Sequence, residues 1–148
     1  MNDVKSDFRL HEITMGLFLM VCAISAVYTA FAYGAAGFFP YILVVFPLVS
    51  FYSVFLFLPM VALLVRLKKT GLLVLVLSCF ILAFVVLSII NIGLFGLSNI
   101  FIENGRSLVV DGIITKQGYI KAVKDSVVTA LIVSIGAILF WLVSLRKV

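Results

Sequence analysis

LLVLVLSCFILAFVVLSIINIGLFGL, residues Leu72–Leu97, contains no Asp, Glu, Lys, Arg or His. Crossing about 30 Å of hydrocarbon takes roughly 18–20 apolar residues. Only a helix satisfies its own backbone there without closing into a barrel. Counted from Gly71, the run would extend about 40 Å at 1.5 Å per residue. It is therefore expected to tilt, or to loosen near Gly93 and Gly96. Asn91 is its one strongly polar residue. An amide facing lipid is costly, so Asn91 is expected to point inward and hydrogen-bond a neighbouring helix.

Three further runs, Ile13–Gly34, Tyr41–Val65 and Val127–Leu145, are equally free of charge. The fold class that follows is all-α: a polytopic membrane protein with one bundle of four transmembrane helices, at about 13–34, 41–65, 72–97 and 127–145. Residues 98–125 form its one longer extramembrane loop, and residues 1–148 form a single domain. Composition agrees, with 65% hydrophobic and 11% charged residues and a mean hydropathy of +1.35. Soluble domains carry about 25% charged residues. The net charge of +5 does not imply nucleic acid, because Lys and Arg gather at the helix ends. Anionic headgroups and insertion bias favour them there.

Lys5 and Arg9 with Ala30-Phe31-Ala32 imitate a secretory signal and its cleavage site. The apolar run is too long for one and continues past the site, so an uncleaved first helix is expected. The first turn, from Gly34 to Pro40, is expected to be tight, with Pro40 near the first position of the next helix. Tyr28, Phe31, Tyr33, Phe38, Phe39 and Tyr41 crowd this end, as in an interfacial aromatic belt. Pro47 and Pro59 are expected to kink the second helix.

In the 98–125 loop, Asn104-Gly105 reads as a turn. Asp111-Gly112, between Leu108-Val109-Val110 and Ile113-Ile114, is a hairpin signal. Tyr119, Ile120, Val123 and Val127 then recur at helical spacing among Lys116, Lys121, Lys124 and Asp125. That pattern predicts a short amphipathic helix or an early start to helix four.

Lys5, Arg9, Arg66, Lys68, Lys69, Arg146 and Lys147 would lie on one side of a four-span bundle, and Arg106, Lys116, Lys121 and Lys124 on the other. Seven against four places both termini in the cytoplasm. Small residues recur every fourth position at Cys22, Ala26, Ala30 and Gly34, and again at Ser126, Ala130 and Ser134. Two such stripes are expected to pack helix one against helix four. The alternative is a homodimer built on the helix-one stripe.

Cys22 and Cys79 stand alone in apolar runs, without a C-x-x-C pair, and His11 is the only histidine. A redox pair, a bis-histidine haem and a zinc site are all unsupported. No buried base accompanies the Ser, Thr and Tyr residues, so no catalytic, cofactor or metal residues are assigned and no enzyme is expected.

Phe140-Trp141-Leu142-Val143-Ser144-Leu145-Arg146-Lys147-Val148 resembles the last helix of small four-span bacterial inner-membrane proteins of unknown function. The likeness rests on Trp141, Ser144, Arg146 and Val148, together with a short first turn, a basic second turn and a longer third loop. It implies a multi-pass protein of the bacterial inner membrane and carries no activity across. The function expected is interaction in the membrane, as an accessory subunit or an immunity or exclusion factor. Its partner would be another membrane protein or a second copy of the chain. Arg106, Asp111, Lys116 and Tyr119 are the candidate contacts, offering charge for steering and an aromatic anchor. A small oligomeric transporter or channel is the alternative.

Overall fold

The computed structural model describes residues 3–97, 101–103 and 106–145. Helix dominates. α1 (Asp3–Tyr52) is broken at Gly34 and leads through a π-helical turn, Ser53–Phe57, into α2 (Leu58–Arg66). α3 (Leu72–Gly96) follows. Strands β1 (Phe101–Glu103), β2 (Arg106–Val110) and β3 (Ile113–Ile114) precede α4 (Lys116–Phe140), which a second π-helical turn, Trp141–Leu145, extends. Four stretches are long and apolar enough to cross a membrane: His11–Gly34, Gly37–Arg66, Leu72–Phe95 and Lys116–Leu145. The sheet is the departure from an all-α chain. The chain clusters into two compact units, one of Met1–Cys79 with Ile132–Val148 and one of Phe80–Leu131.

In the first unit, the break between the first two apolar stretches is narrower than the turn expected from Gly34 to Pro40. Gly34 alone is non-helical, at φ 65° and ψ −172°. That region of backbone space is essentially reserved for glycine. Tyr33 and Tyr41 stack across the bend with ring centroids 3.9 Å apart, and a side chain at Gly37 would strike both. Further along, Pro59 offers no N–H and crowds the carbonyl one turn back. The chain answers with the wider π turn just before it, in which the Leu58 N–H reaches Ser53 O.

The far end of α2 closes through Lys68 at φ 56°. Lys68 N–H donates to Val65 O at 3.0 Å and Lys69 N–H to Leu64 O at 2.9 Å. This paired pattern is a Schellman closure, here with lysine where glycine is usual.

α1 and the end of α4 run antiparallel. A Cβ at Gly136 would lie 2.5 Å from Ile24 and 3.0 Å from Met20, while one at Gly16 would collide with Ser144 Oγ. Ser144 Oγ donates to Glu12 O at 2.9 Å. Phe140 meets Phe57 edge-on at 5.0 Å, and Trp141 Nε1 donates to Thr70 O at 2.8 Å. The start of α1, the basic 66–71 turn and the end of α4 therefore share one end of this unit.

The face of α1 that packs differs from the expected one. Met20, Val21, Ile24, Ser25 and Thr29 are buried, whereas Cys22 and Ala26 are half-buried and Ala30 and Gly34 are exposed. Close approach comes from Gly16 on α1 and Gly136 on α4. Gly34 serves the backbone bend instead. On α4, Ser126, Ala130 and Ser134 are buried, and the small stripe continues to Gly118, Ala122 and Ala137.

Candidate functional site

The second unit turns most of the expected loop into a folded cap. β1, β2 and β3 form one antiparallel sheet in that order. Val110 pairs with Ile113 across Asp111-Gly112, whose φ angles are 50° and 75°. Two consecutive positive φ values define the type I′ turn that the Asp-Gly pair favours. Glu103 pairs with Arg106 on the other side of β2. The Asn104-Gly105 turn expected there lies outside the described residues.

Thr115 joins the sheet to the helix. Its N–H donates to Leu108 O at 2.9 Å, and its hydroxyl donates to Ser107 O at 2.8 Å. The same Oγ1 accepts the Gly118 N–H at 3.2 Å, capping the first turn of α4. Helix four thus begins at Lys116, eleven residues before the Val127 start expected from hydropathy. Gly118 lies flush against the Leu108 carbonyl and Ile114, so the sheet rests directly on the helix backbone. Leu108 and Val109 of β2 and Ala122 of α4 are buried in this unit.

A second tie is ionic. Lys121 Nζ lies 3.0 Å from Glu103 Oε2 and 3.1 Å from Asp125 Oδ2, with all three side chains partly exposed. Exposed pairs contribute only about 0–1 kcal/mol each, so the larger effect of the Glu103–Lys121 pair is to orient β1 on α4. Beside this bridge an open groove of about 650 Å³ runs between sheet and helix. Glu103, Leu108, Ile120, Lys121, Lys124 and Asp125 line it. Below the cap, Asn91 Nδ2 donates to Ser126 Oγ at 3.0 Å, and Ser126 Oγ donates to Ala122 O at 2.7 Å. Between helices inside a bilayer such a bond would contribute about 0.6 kcal/mol on average.

The four candidate contacts do not form one patch. Lys116 and Tyr119 are exposed and three residues apart on α4, which makes them neighbours. Asp111 is exposed at the β2–β3 turn, and Arg106 begins β2 at the opposite end of that strand. The Glu103–Lys121–Asp125 bridge and the Thr115 staple carry the site's architecture and were not among the expected residues. A Thr two residues before Gln117, and Lys121 four residues before Asp125, are the local signals that point to them. Among the described residues no group of three or more His, Cys, Asp or Glu is placed to hold a metal, and Cys22 and Cys79 are free thiols. No protein-family model matches the chain, and no curated protein or solved structure matches it significantly.

Proposed function

We propose that this chain is a multi-pass protein of a bacterial inner membrane that acts by presenting its β-cap to a protein partner. Membrane placement is supported by the extent of exposed apolar surface around an interior in which small and hydroxyl residues join Phe57, Phe140, Met20 and Leu75. Ser25, Thr29, Ser53, Ser126, Ala130 and Ala137 are fully buried, while Phe18, Phe31, Phe39, Leu43, Leu73 and Ile89 are mostly exposed. In water so much exposed apolar surface would aggregate. In lipid, small residues inside and large ones outside are the expected packing.

The arrangement of the first unit puts the 66–69 basic turn at the end where α1 starts and α4 finishes, which favours termini in the cytoplasm. The expected result is that an impermeant thiol reagent labels Ser107→Cys in intact cells but not Ser6→Cys, in a background without Cys22 and Cys79. Labelling at residue 6 alone would reverse the orientation.

The observation that carries the interaction reading is the cap itself. A mere link between two helices needs no three-stranded sheet, capping threonine or three-way ion bridge. Asp111, Lys116 and Tyr119 on its exposed surface supply charge and an aromatic anchor. Affinity purification in mild detergent tests this. A partner recovered with the native chain is expected to be lost when Arg106, Asp111, Lys116 and Tyr119 are all replaced with alanine, with the cap still folded. Equal recovery would remove the reading.

One observation favours a second reading, a small transporter or channel. Ser25 Oγ, Thr29 Oγ1 and Ser53 Oγ in the first unit are enclosed without a hydrogen-bond partner among the described residues. Hydroxyls can line a conducting path. Solute flux in liposomes that Ser53→Ala and Thr29→Val abolish would give this reading precedence.

A further inference from the structure

We propose that the groove beside the Lys121 bridge binds the headgroup of an amine-bearing zwitterionic phospholipid of the phosphatidylethanolamine type. The inference rests on α4 crossing a bilayer. α4 and its π extension form a continuous helix of 30 residues, Lys116–Leu145, whose charged residues all lie in the first ten. About 20 residues suffice to cross the hydrocarbon. The first ten or so, which bear the cap, then stand at the level of the headgroups, about 15 Å deep at 1.5 Å per residue.

Charge selects the ligand. Glu103 and Asp125 share a single lysine, Lys121, so the bridge carries one carboxylate charge in excess. Both carboxylate side chains remain partly open, at 39% and 48% exposure. Lys124 lines the same groove and makes no ion pair among the described residues. A site with negative and positive ends matches a headgroup with an ammonium and a phosphate. The ammonium donates up to three hydrogen bonds to the carboxylates, and the phosphate meets Lys124.

Continuity selects the lipid over a soluble ligand. Ile120, Lys124, Val127 and Leu131 follow one another at helical spacing along a single face of α4. Ile120 is 59% and Leu131 53% exposed. An acyl chain leaving the groove therefore has an open apolar track down the helix. Phosphatidylglycerol lacks the ammonium and brings its negative charge to a bridge already in carboxylate excess. Phosphatidylcholine has a cation without N–H donors.

Native mass spectrometry of the full chain, released from nanodiscs containing equal parts of phosphatidylethanolamine, phosphatidylcholine and phosphatidylglycerol, tests the proposal. Retained phosphatidylethanolamine is expected to exceed each of the others about tenfold, the effect of one charge-assisted hydrogen bond. Glu103→Gln should reduce that preference severalfold, and Lys124→Gln should lower retention of all three lipids. Lys124 makes no ion pair among the described residues, so this variant stays informative even where Glu103→Gln loosens the cap. Equal retention, a preference for phosphatidylglycerol, or a preference that survives both substitutions would overturn the proposal. A chain that fails to enter nanodiscs removes the membrane placement itself. One that enters and shows no lipid preference removes only the headgroup site.

Discussion

Gly118→Val is expected to detach the β-sheet from α4 while leaving the rest of the helix intact. Any Cβ at this position collides with the Leu108 carbonyl and comes within 2.8 Å of Ile114 Cγ2. The carbonyl cannot yield cheaply, because it already accepts the Thr115 N–H at 2.9 Å and lies 3.1 Å from the Thr115 hydroxyl. Valine is a better helix former than glycine by a few tenths of a kcal/mol, or about 0.5 at most. Overpacking costs about 1–3 kcal/mol, so the steric term wins. Limited proteolysis of the protein in mild detergent should show cleavage in the 106–115 segment that the native chain resists. Gly93→Ala, where an added Cβ meets nothing within 4 Å, should leave protection unchanged. Equal protection in Gly118→Val would mean that the sheet does not rest on the helix as described.

Gly136→Leu should produce the second large loss, in the first unit. Its Cβ would sit 2.5 Å from two atoms of Ile24 and 3.0 Å from Met20 Cγ. Ile24 is buried and β-branched, so its side chain has few other rotamers to adopt. The cost is again about 1–3 kcal/mol or more. Cys79 is fully buried and reports unfolding through its reaction with a thiol dye in a Cys22→Ser background. The melting temperature read this way should fall for Gly136→Leu and stay near the native value for Ala30→Leu, an exposed position. The reverse order would restore the Cys22–Gly34 stripe as the packed face.

That contrast marks what a single sequence can reveal here. The apolar runs announce themselves, because length and absence of charge are local properties. The Asp111-Gly112 hairpin is legible for the same reason: few residue pairs accept two positive φ angles. Which face of a helix packs is a different kind of information. The outward face of α1 is apolar too, with Met15, Phe18, Leu19 and Val27 exposed, so hydropathy has no inside and outside to distinguish. Small residues recur on several faces of α1, and the Cys22–Gly34 series shares its four-residue period with Gly16, Met20 and Ile24 one face away. Gly34 misleads further, since a glycine needed for its backbone angle looks like one needed for close approach.

The cap was half legible. Its β2–β3 hairpin and the helical spacing from Gln117 are visible in the residues, and the start of α4 at Lys116 agrees with that spacing. β1 is only three residues long, too short for its own sequence to announce a strand. The bridge from Glu103 to Lys121 joins groups eighteen positions apart, a separation that no local pattern encodes. Hydropathy alone misplaced the helix boundary because Lys121, Lys124 and Asp125 interrupt the apolar run without interrupting the helix.

The most direct test of the account is photo-crosslinking from the cap in native membranes. With a benzophenone amino acid in place of Tyr119, irradiation is expected to give a discrete adduct of this chain with one other protein. Lys116→Glu beside it should weaken the adduct about tenfold, as the loss of one steering charge and its contact would. The same probe at Leu131, on the exposed apolar face of α4, should give no such adduct. The contradicting result is a Tyr119 probe that captures no protein, together with an activity that survives loss of the cap contacts and disappears in a folded Asn91→Leu variant.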